Sequence, residues 1–568
     1  MSERIEYDVT LVGAGPANMT LAYRLVQLAD KPIRIAVLEK SKDIGSHLLS
    51  GAVSNPRVID KMFPQWRTDG FPHQGICAES YVSVLGSRRW EDVPGLLTPP
   101  YYKKEGYAIL NISEMCAYMA GKTSEAAAAR EGVIVDFYPG FPAQEIVYEG
   151  DRVAGVKVDN TGDENADTLY SKVTVFGDKG FVSRDLIDRF NMRGNPQVWS
   201  VGVKEVWETT ESYEGKVWHT MGYPLAPGHL GGGFVYGLKN NRLAVGIVMG
   251  LDFVNPNLRP PQALQDLKKH PRIQEMLRGG KLLRYGASVL PEGGYYSLPE
   301  KFAVDGAMLT GDALGTLDVK RFSGVDKAME GGYQAAETIW EAFKRNDFSA
   351  SALEGYKSRL MSGWVGQELM DSRSFKKAFT DYPNLLEVFI PRVAAAVNSG
   401  KSVVYAGIQA GMADPFGSLG LLAARKMIEN PSDIGRAEYK EDRAHIGKDY
   451  LDTRDISQGH ADNTIYTTAD VVFYAHTHYG EENRHIEEFD ARVCRDCIAE
   501  FDAASKDTPC VGDCTAEVHQ TLEKDGVRFH AMALENCVQC TTCEIVCPKI
   551  NIRVRAALHG YGPDFSGM

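Results

Sequence analysis

A strand, a glycine-rich turn and a helix open the chain, and this order restricts the fold more than any other feature of the sequence. Residues 7–13 read Tyr-Asp-Val-Thr-Leu-Val-Gly, which is the pattern of a short buried strand. Gly13-Ala-Gly15-Pro-Ala-Asn18 follows, and then come a helical stretch over 19–28 and a second strand over 33–38 that ends at Glu39. We therefore predict a βαβ unit, the building block of a parallel α/β sheet.

This unit has the residues of a dinucleotide site. Gly13 would supply the tight turn, and Gly15 would let the backbone approach a pyrophosphate at the positive end of the helix. Glu39, at the end of the second strand, would accept hydrogen bonds from ribose hydroxyls. Asn18 stands where the motif usually has Gly or Ala, which loosens the match. An ordinary glycine-rich βα turn is the alternative interpretation.

A second segment, Leu309-Thr-Gly311-Asp312-Ala, points to FAD among the dinucleotides. In two-part FAD folds a late strand ends in Gly-Asp, and the aspartate reaches the ribityl or pyrophosphate region. The predicted FAD-binding residues are Gly13, Gly15, Asn18, Glu39, Gly311 and Asp312. Because only one nucleotide fingerprint is found, we expect that the physiological reductant is not a pyridine nucleotide.

The cysteines indicate iron–sulfur clusters near the end of the chain. Cys537-x2-Cys540-x2-Cys543-x3-Cys547-Pro548 is the bacterial ferredoxin run, in which three thiolates hold one [4Fe–4S] cluster and the fourth ligates another. The upstream set has the same pattern with a longer insert: Cys494-x2-Cys497-x12-Cys510-x3-Cys514. In two-cluster ferredoxins the last cysteine of each run ligates the cluster of the other run, and we call this the cross-over rule. It assigns cluster 1 to Cys514, Cys537, Cys540 and Cys543, and cluster 2 to Cys494, Cys497, Cys510 and Cys547. A zinc knuckle or free thiols are the alternatives for the upstream set.

The composition and the first residues limit which partners this chain is expected to bind and in which compartment it is expected to work. The net charge is 62 − 75 = −13, which argues against nucleic acid as a partner because phosphate binding needs a positive surface. No run of 18 uncharged apolar residues occurs, so we predict no membrane-spanning helix. The first residues show neither the basic nor the apolar region of a secretory signal. In a chain without a secretory signal, clustered cysteines more often bind metal than form disulfides. The isolated Cys77 and Cys116 are expected in the core.

Several blocks of the sequence, in the same order, resemble the electron-transfer flavoprotein (ETF)–ubiquinone oxidoreductase family. They are residues 38–52, 202–207, 231–236, 248–256, 285–294 and 536–543. The resemblance implies that reduced ETF donates single electrons and that FAD passes electron pairs to a membrane quinone. It also places the family's quinone-binding glycine pair on Gly231 and Gly232, for which a glycine turn between strands is the alternative. The family's single cluster maps onto Cys514, Cys537, Cys540 and Cys543.

Two features depart from that family. Its single-chain mitochondrial type has one cluster, whereas this tail offers eight cysteines. That arrangement looks more like the Fix-type branch, in which a flavoprotein and a two-cluster ferredoxin-like subunit are separate chains, so this sequence would be a fusion of the two. The loop Leu314–Gly324 beside the expected flavin also differs from the family's version.

The predicted fold is α/β and α+β: a Rossmann-like FAD-binding domain interleaved with a β-rich quinone-binding domain, followed by a ferredoxin-like iron–sulfur domain. The FAD domain is expected over 1–80 and 300–345, and the β-rich domain over 81–299. A helical region over 346–430 and a connecting segment over 431–485 precede the iron–sulfur domain, 486–568.

A peripheral protein on the cytoplasmic side of the cell membrane is the expected location, since quinones are lipid-soluble and no spanning helix is predicted. The segment Val93–Tyr102 would enter the interface, with Lys103 and Lys104 at the head groups. A second candidate is Pro415–Ala424, and burial in the core is the alternative for both segments.

Two other functions fit parts of the sequence. Flavin monooxygenases and ferredoxin-fed prenyl reductases share the early glycine motif and the Gly-Asp segment, although monooxygenases have no use for a ferredoxin-like tail. A non-enzymatic electron carrier within a larger complex is the other alternative. We assign no catalytic acid or base from the sequence, because the cofactors would carry the chemistry. Ubiquinone and menaquinone are the two candidate acceptors.

Overall fold

A computed structural model describes residues 5–96, 98–159, 167–225, 229–252, 258–373, 375–376, 464–480, 484–503 and 507–568. The strands in these residues are β1 (Ile5–Val12), β2 (Ile33–Glu39), β3 (Ala52–Ser54), β4 (Gly75–Ile76), β5 (Glu79–Leu85), β6 (Trp90–Asp92), β7 (Ala108–Leu110), β8 (Val133–Pro139), β9 (Ala143–Glu149), β10 (Arg152–Val158), β11 (Asp167–Phe176), β12 (Trp199–Glu208), β13 (Lys216–Gly222), β14 (Gly231–Leu238), β15 (Arg242–Gly250), β16 (Lys281–Pro291), β17 (Ala303–Val304), β18 (Ala307–Leu309), β19 (Ile486–Glu488), β20 (His519–Lys524), β21 (Val527–Met532) and β22 (Ile552–Val554).

The α-helices in the same residues are α1 (Pro16–Leu28), α2 (Arg57–Met62), α3 (Ile112–Ala128), α4 (Ser183–Arg189), α5 (Pro260–Lys268), α6 (Pro271–Leu277), α7 (Gly311–Leu314), α8 (Val325–Arg345), α9 (Ala350–Leu353), α10 (Gly355–Ser362), α11 (Trp364–Ser372), α12 (Thr468–Val472), α13 (Ala491–Ala503), α14 (Pro509–Gly512) and α15 (Thr542–Val546). Short 3-10 helices lie at Pro100–Tyr102, Gly294–Ser297, Phe473–Ala475 and Leu534–Asn536.

The first sheet contains the predicted βαβ unit. Its main strand order is β17-β18-β11-β1-β2-β8, and β1 pairs in parallel with both β2 and β11. The inner strands are buried on both faces, as expected for parallel strands covered by helices. Helix α1 packs against α3 and α8. Strands β8 and β11 fall inside the range 81–299, so the first sheet takes more of the chain than the 1–80 and 300–345 assigned to it from sequence.

The second sheet has seven strands, against eight in the first, and is mainly antiparallel. Its order is β16-β12-β15-β14-β13-β5-β6, and the pairing of β13 with β5 is parallel. Helix α5 packs on β12 and β15. The opposite face of this sheet is turned toward the first sheet and forms the wall of a cavity that is described below.

The tail packs on the second sheet rather than standing apart. It contains two small antiparallel pairs, β19-β22 and β20-β21, and the short helices that carry its cysteines. The Tyr285 hydroxyl donates to the Thr515 carbonyl at 2.6 Å, and the Val289 amide donates to the Cys540 carbonyl at 3.3 Å. Strand β16 therefore holds the cysteine loop against the rest of the molecule.

The structure modifies one expectation about the membrane segments. Leu96 is 83% exposed and Lys103 is exposed, but Lys104 is only 2% exposed. Its ammonium donates to the Arg321 carbonyl at 2.8 Å, so placing Lys104 at lipid head groups was wrong. The second candidate, 415–424, lies outside the described residues. Within the described residues, no helix has the length and apolar character to cross a membrane. Cys77 and Cys116 are buried, as predicted.

Candidate functional site: two joined cavities and two cysteine sets

The first cavity, about 1420 Å³, opens at the glycine turn between β1 and α1. Gly13 has a φ of +89° and donates its amide to the Leu38 carbonyl at 2.9 Å, which bends the chain out of β1. A Cβ on Gly15 would meet nothing within 4 Å, so the space beside the turn is open. Gly15 also precedes α1 without a capping side chain, which leaves the helix amides free to bind an anion.

Glu39 and Asn18 both hold this turn, but from different sides. Glu39 lines the cavity, and its Oε2 accepts from the Ala14 amide at 3.0 Å while its Oε1 accepts from the Ser41 amide at 2.9 Å. Asn18 lies behind the turn, where its Nδ2 donates to the carbonyls of Val12 and Gly13 at 2.9 and 2.8 Å. The side chain of Asn18 therefore positions the turn rather than lining the cavity.

Gly311 and Asp312 line the same cavity from the N-terminus of α7. The Asp312 Oδ2 lies 3.9 Å from the Lys179 Nζ, and burial raises the pKa of the Asp312 carboxyl. The structure thus brings together five of the six predicted FAD residues. The open glycine turn and the free helix terminus fit a dinucleotide with a pyrophosphate at α1.

The second cavity, about 1280 Å³, lies on the face of the second sheet. Gly231 and Gly232 line it, and they begin β14 rather than forming a turn. A Cβ on Gly232 would collide with the Thr220 carbonyl oxygen, and one on Gly231 with the Val248 carbonyl oxygen. Close strand packing therefore requires glycine at both positions.

The two cavities share part of their walls. The residues that line both are Leu49, Ile112, Lys179, Ser288, Leu290, Leu317, Gly324 and Val325. At this junction the Lys179 ammonium donates to the Ser288 hydroxyl at 2.6 Å. Leu317 and Gly324 belong to the loop that differs from the family's version in sequence. A ligand that fills the first cavity is therefore in reach of one that fills the second.

The eight cysteines of the tail surround two separate small spaces. Cys514, Cys537, Cys540 and Cys543, the first cysteine set, line one of them. Cys494, Cys497, Cys510 and Cys547, the second cysteine set, line the other. These are the two groups that the cross-over rule predicts from the spacing.

The surroundings of the sulfurs fit metal-bound thiolates. Backbone amides donate to the Sγ atoms of Cys514 at 3.2 Å, Cys537 at 3.3 Å and Cys547 at 3.2 Å. Burial raises the pKa of the Cys514 thiol to about 11 and that of Cys494 to about 12. Thiolates at such positions would need a bound cation to stabilise their charge.

The first cysteine set adjoins the first cavity. Val538 and Gln539, which lie between Cys537 and Cys540, form part of the cavity wall. The Lys40 ammonium donates to the Gln539 Oε1 at 2.5 Å, and burial lowers the pKa of Lys40 to about 8. Sequence reasoning did not single out Lys40 or Gln539, although both lie in blocks that carry the family resemblance.

Three titratable residues of the second cavity were also missed. Lys204, His219 and Glu292 line it, and each is less than a tenth exposed. Burial lowers the pKa of Lys204 to about 7 and that of His219 to about 3, and it raises that of Glu292 to about 6. Lys204 lies in the block 202–207 and Glu292 in the block 285–294, and these blocks were the available signals.

Comparisons with known proteins agree with this arrangement. A family model described as "ETF-QO, ubiquinone-binding" matches residues 199–290, which run from β12 to the end of β16. The Pseudomonas aeruginosa protein named electron transfer flavoprotein-ubiquinone oxidoreductase is 30% identical over 594 residues, covering 100% of both chains. The human mitochondrial protein of the same name is 30% identical over 597 residues, covering 99% of this chain and 89% of its own.

Among solved structures, a geranylgeranyl bacteriochlorophyll reductase-like protein from Thermoplasma acidophilum is similar, with a TM-score of 0.57 and 18% identity. The similarity covers 74% of this chain and 100% of that one. At this identity it shows the fold alone. Together with the quinone-binding family model, it confirms the predicted fold class, a Rossmann-like flavoenzyme fold combined with a quinone-binding domain.

Proposed function

Since this chain belongs to the electron transfer flavoprotein–ubiquinone oxidoreductase family, we propose that it oxidises reduced ETF and reduces a membrane quinone. The observation that carries the proposal is the shared wall of the two cavities, with the first cysteine set against the first cavity. The proposed electron entry, flavin site and quinone site would then form one contiguous series.

FAD is the proposed occupant of the first cavity. When bound, it exchanges one or two electrons and so joins a single-electron donor to a two-electron acceptor. The amides at the start of α1 would hold its pyrophosphate, Glu39 its ribose, and Asp312 with Lys179 the region toward the junction.

The quinone is the proposed occupant of the second cavity. The wall made by Gly231 and Gly232 has no side chains, so a flat ring can lie close to the strand. The aromatic residues Phe234 and Phe322 also line this cavity and favour an apolar ring.

Two [4Fe–4S] clusters are the proposed occupants of the cysteine sets. Among the described residues, the wall of the first cavity includes residues of the first set's loop and none of those around the second set. We therefore place the second cluster farther from the flavin, as the earlier station for electrons from ETF. Metal analysis should give about eight iron ions per chain, whereas about four with one zinc would restrict the clusters to one.

Peripheral contact with the cytoplasmic side of the cell membrane is proposed through the loop that carries Leu96. An 83% exposed leucine between prolines is a suitable anchor at a lipid interface. The change Leu96→Asp should weaken binding to lipid vesicles in a flotation assay. The matched control Leu522→Asp alters an exposed leucine on β20 and should leave binding unchanged. Equal vesicle binding by wild type and Leu96→Asp would contradict the anchor.

Anaerobic turnover tests the function directly. Reduced ETF is the donor and a short-chain ubiquinone or menaquinone is the acceptor. We expect quinone reduction by the wild type and its loss in Cys540→Ser, which removes a ligand of the first cysteine set. Reduction of the cofactors by ETF with no reduction of either quinone would instead support an electron-carrier subunit.

A further inference from the structure

Reduction of a quinone to a hydroquinone consumes two protons as well as two electrons, and the second cavity contains one side chain suited to supply a proton. Lys204 lines this cavity, is 4% exposed and lies on β12. Within the described parts of the chain, no hydrogen bond or ion pair to its ammonium is found. A buried lysine without a partner is costly, and such groups are typical of functional sites.

The sheet register explains why Lys204 points into the cavity. Its neighbours across the strands are Gly246 on β15 and Gly286 on β16. The Phe234 ring occupies the space above Gly246, and Phe565 and Leu49 occupy the space above Gly286. The apolar stem of Lys204 is thus enclosed by these side chains, which leaves its ammonium directed to the cavity.

The same register brings Lys204 near the proposed quinone ring. Gly202, two residues before Lys204, pairs with Val248, which pairs in turn with Gly232. Residues that alternate along a strand share a face, so Gly202, Lys204 and Gly232 face the same cavity. Gly232 lies two strand spacings from β12, about 10 Å, so a ring that lies on Gly232 and extends over β15 comes within reach of the four-carbon stem of Lys204.

The other titratable groups that line the cavity are less suited to this role. They are Tyr102, Lys179, His219, Tyr236 and Glu292. Lys179 donates to Ser288, and Glu292 accepts from Ser200. His219 shares a 2.8 Å hydrogen bond with the Tyr236 hydroxyl, and burial keeps its imidazole neutral. The phenols of Tyr102 and Tyr236 have a raised pKa because of burial.

We propose that Lys204 is the proton donor to the quinone, an inference that rests on the proposed function. Bound FAD in its anionic reduced form would supply two electrons and one proton, and the Lys204 ammonium gives the second proton to the quinone. The quinone becomes hydroquinone, oxidised flavin is left, and the neutral Lys204 amine takes a proton back from solvent.

The test compares two acceptors in the same preparation. Reduced protein is mixed with a short-chain quinone, which needs protons, or with ferricenium, a one-electron acceptor that needs none. Lys204→Met should lower the rate with quinone by about 100-fold, in the range of general acid catalysis, and leave the rate with ferricenium unchanged. Lys204→Arg, which keeps the charge but does not release its proton, should also be slow with quinone.

The pH profile and quinone binding supply independent readouts. Because burial lowers the pKa of Lys204 to about 7, the wild-type rate with quinone should fall as the pH rises through that value. In Lys204→Met this fall should disappear, while the dissociation constant for quinone, measured by calorimetry, should change by less than about 10-fold, since only one contact is lost.

Lys104→Met is the matched control, because it removes a buried lysine that does not line the cavity. Its ratio of quinone rate to ferricenium rate should equal that of the wild type. An unchanged ratio in Lys204→Met, or a full quinone rate in Lys204→Arg, would overturn the proposal. A wild type that ferricenium oxidises but that reduces no quinone would instead refute the proposed function, and this inference with it.

Discussion

Single glycines determine how closely the strands approach at the second cavity. At Gly232 a Cβ would collide with the Thr220 carbonyl oxygen of the neighbouring strand, and backbone atoms move aside only at a cost. The glycine wall is therefore a consequence of close strand packing as much as of ligand binding.

The change Gly232→Ala should lower the free energy of unfolding by about 1–3 kcal/mol and weaken quinone binding, because β13 and β14 must separate. Chemical denaturation and quinone titration measure the two effects. Gly121→Ala is the control: it lies exposed within α3 with nothing within 4 Å of its Cβ, so it should raise stability by about 0.5–1 kcal/mol. Equal stability of Gly232→Ala and wild type would contradict the packing argument.

Residues that act within one local motif were predictable from sequence, and residues that meet through sheet register were not. Gly13, Gly15 and the cysteines carry their signal in spacing along the chain. Lys204 faces Gly232 only because β12, β15 and β14 are neighbours in a particular register. No periodicity in the sequence encodes that juxtaposition, and the same is true of the burial of Lys104.

At the scale of elements, one buried ion pair fixes α5 to the second sheet. The Lys268 Nζ lies 2.8 Å from the Glu205 Oε2, and both side chains have no exposure. The Trp207 indole and the Gln265 amide also donate to the Glu205 carboxylate, so its charge is well satisfied.

The change Lys268→Met should lower the free energy of unfolding by about 3–5 kcal/mol, because it leaves the Glu205 carboxylate buried without its cation. Denaturant unfolding measures this loss. The double change Lys268→Met with Glu205→Gln should recover part of it, since no charge then remains unpaired. The control Lys157→Met breaks an exposed pair with Glu145 and should cost less than about 1 kcal/mol. A cost for Lys268→Met as small as that of the control would refute the role of the pair.

The apolar patterns in the sequence predicted the type of each sheet better than they predicted which strands belong to it. Alternating and continuous apolar runs identify strands, but the order β11-β1-β2-β8 depends on crossover connections of the chain. Strands β8 and β11 are far from β1 in sequence, so a division into consecutive ranges does not express which sheet they join.

At the scale of the whole molecule, the tail with its two cysteine sets adjoins the first cavity. Strand β16 contributes to both cavities and also contacts the cysteine loop through Val289 and Tyr285. The residues that form each wall give the order of these sites. It runs from the second cysteine set to the first cysteine set, then to the first cavity and the second cavity.

Removal of one cysteine from the second cysteine set should abolish one of the two proposed clusters and leave the other in place. Cys494→Ala should lower the iron content from about eight to about four per chain and leave the FAD content unchanged. Iron analysis and electron paramagnetic resonance of the reduced protein measure this change. Cys77→Ala, at a lone buried thiol, should retain all of the iron. Loss of all iron and FAD in Cys494→Ala would show that the two sets are not independent.

We propose that one chain carries electrons from ETF through the cysteine sets and the flavin to a quinone. An anaerobic stopped-flow experiment tests it most directly, with reduced ETF mixed first with the oxidised protein and then with a short-chain quinone. We expect that cluster absorbance is lost before flavin absorbance, and that quinone restores both. Flavin reduction that precedes cluster reduction, or that persists at full rate in Cys540→Ser, would contradict it.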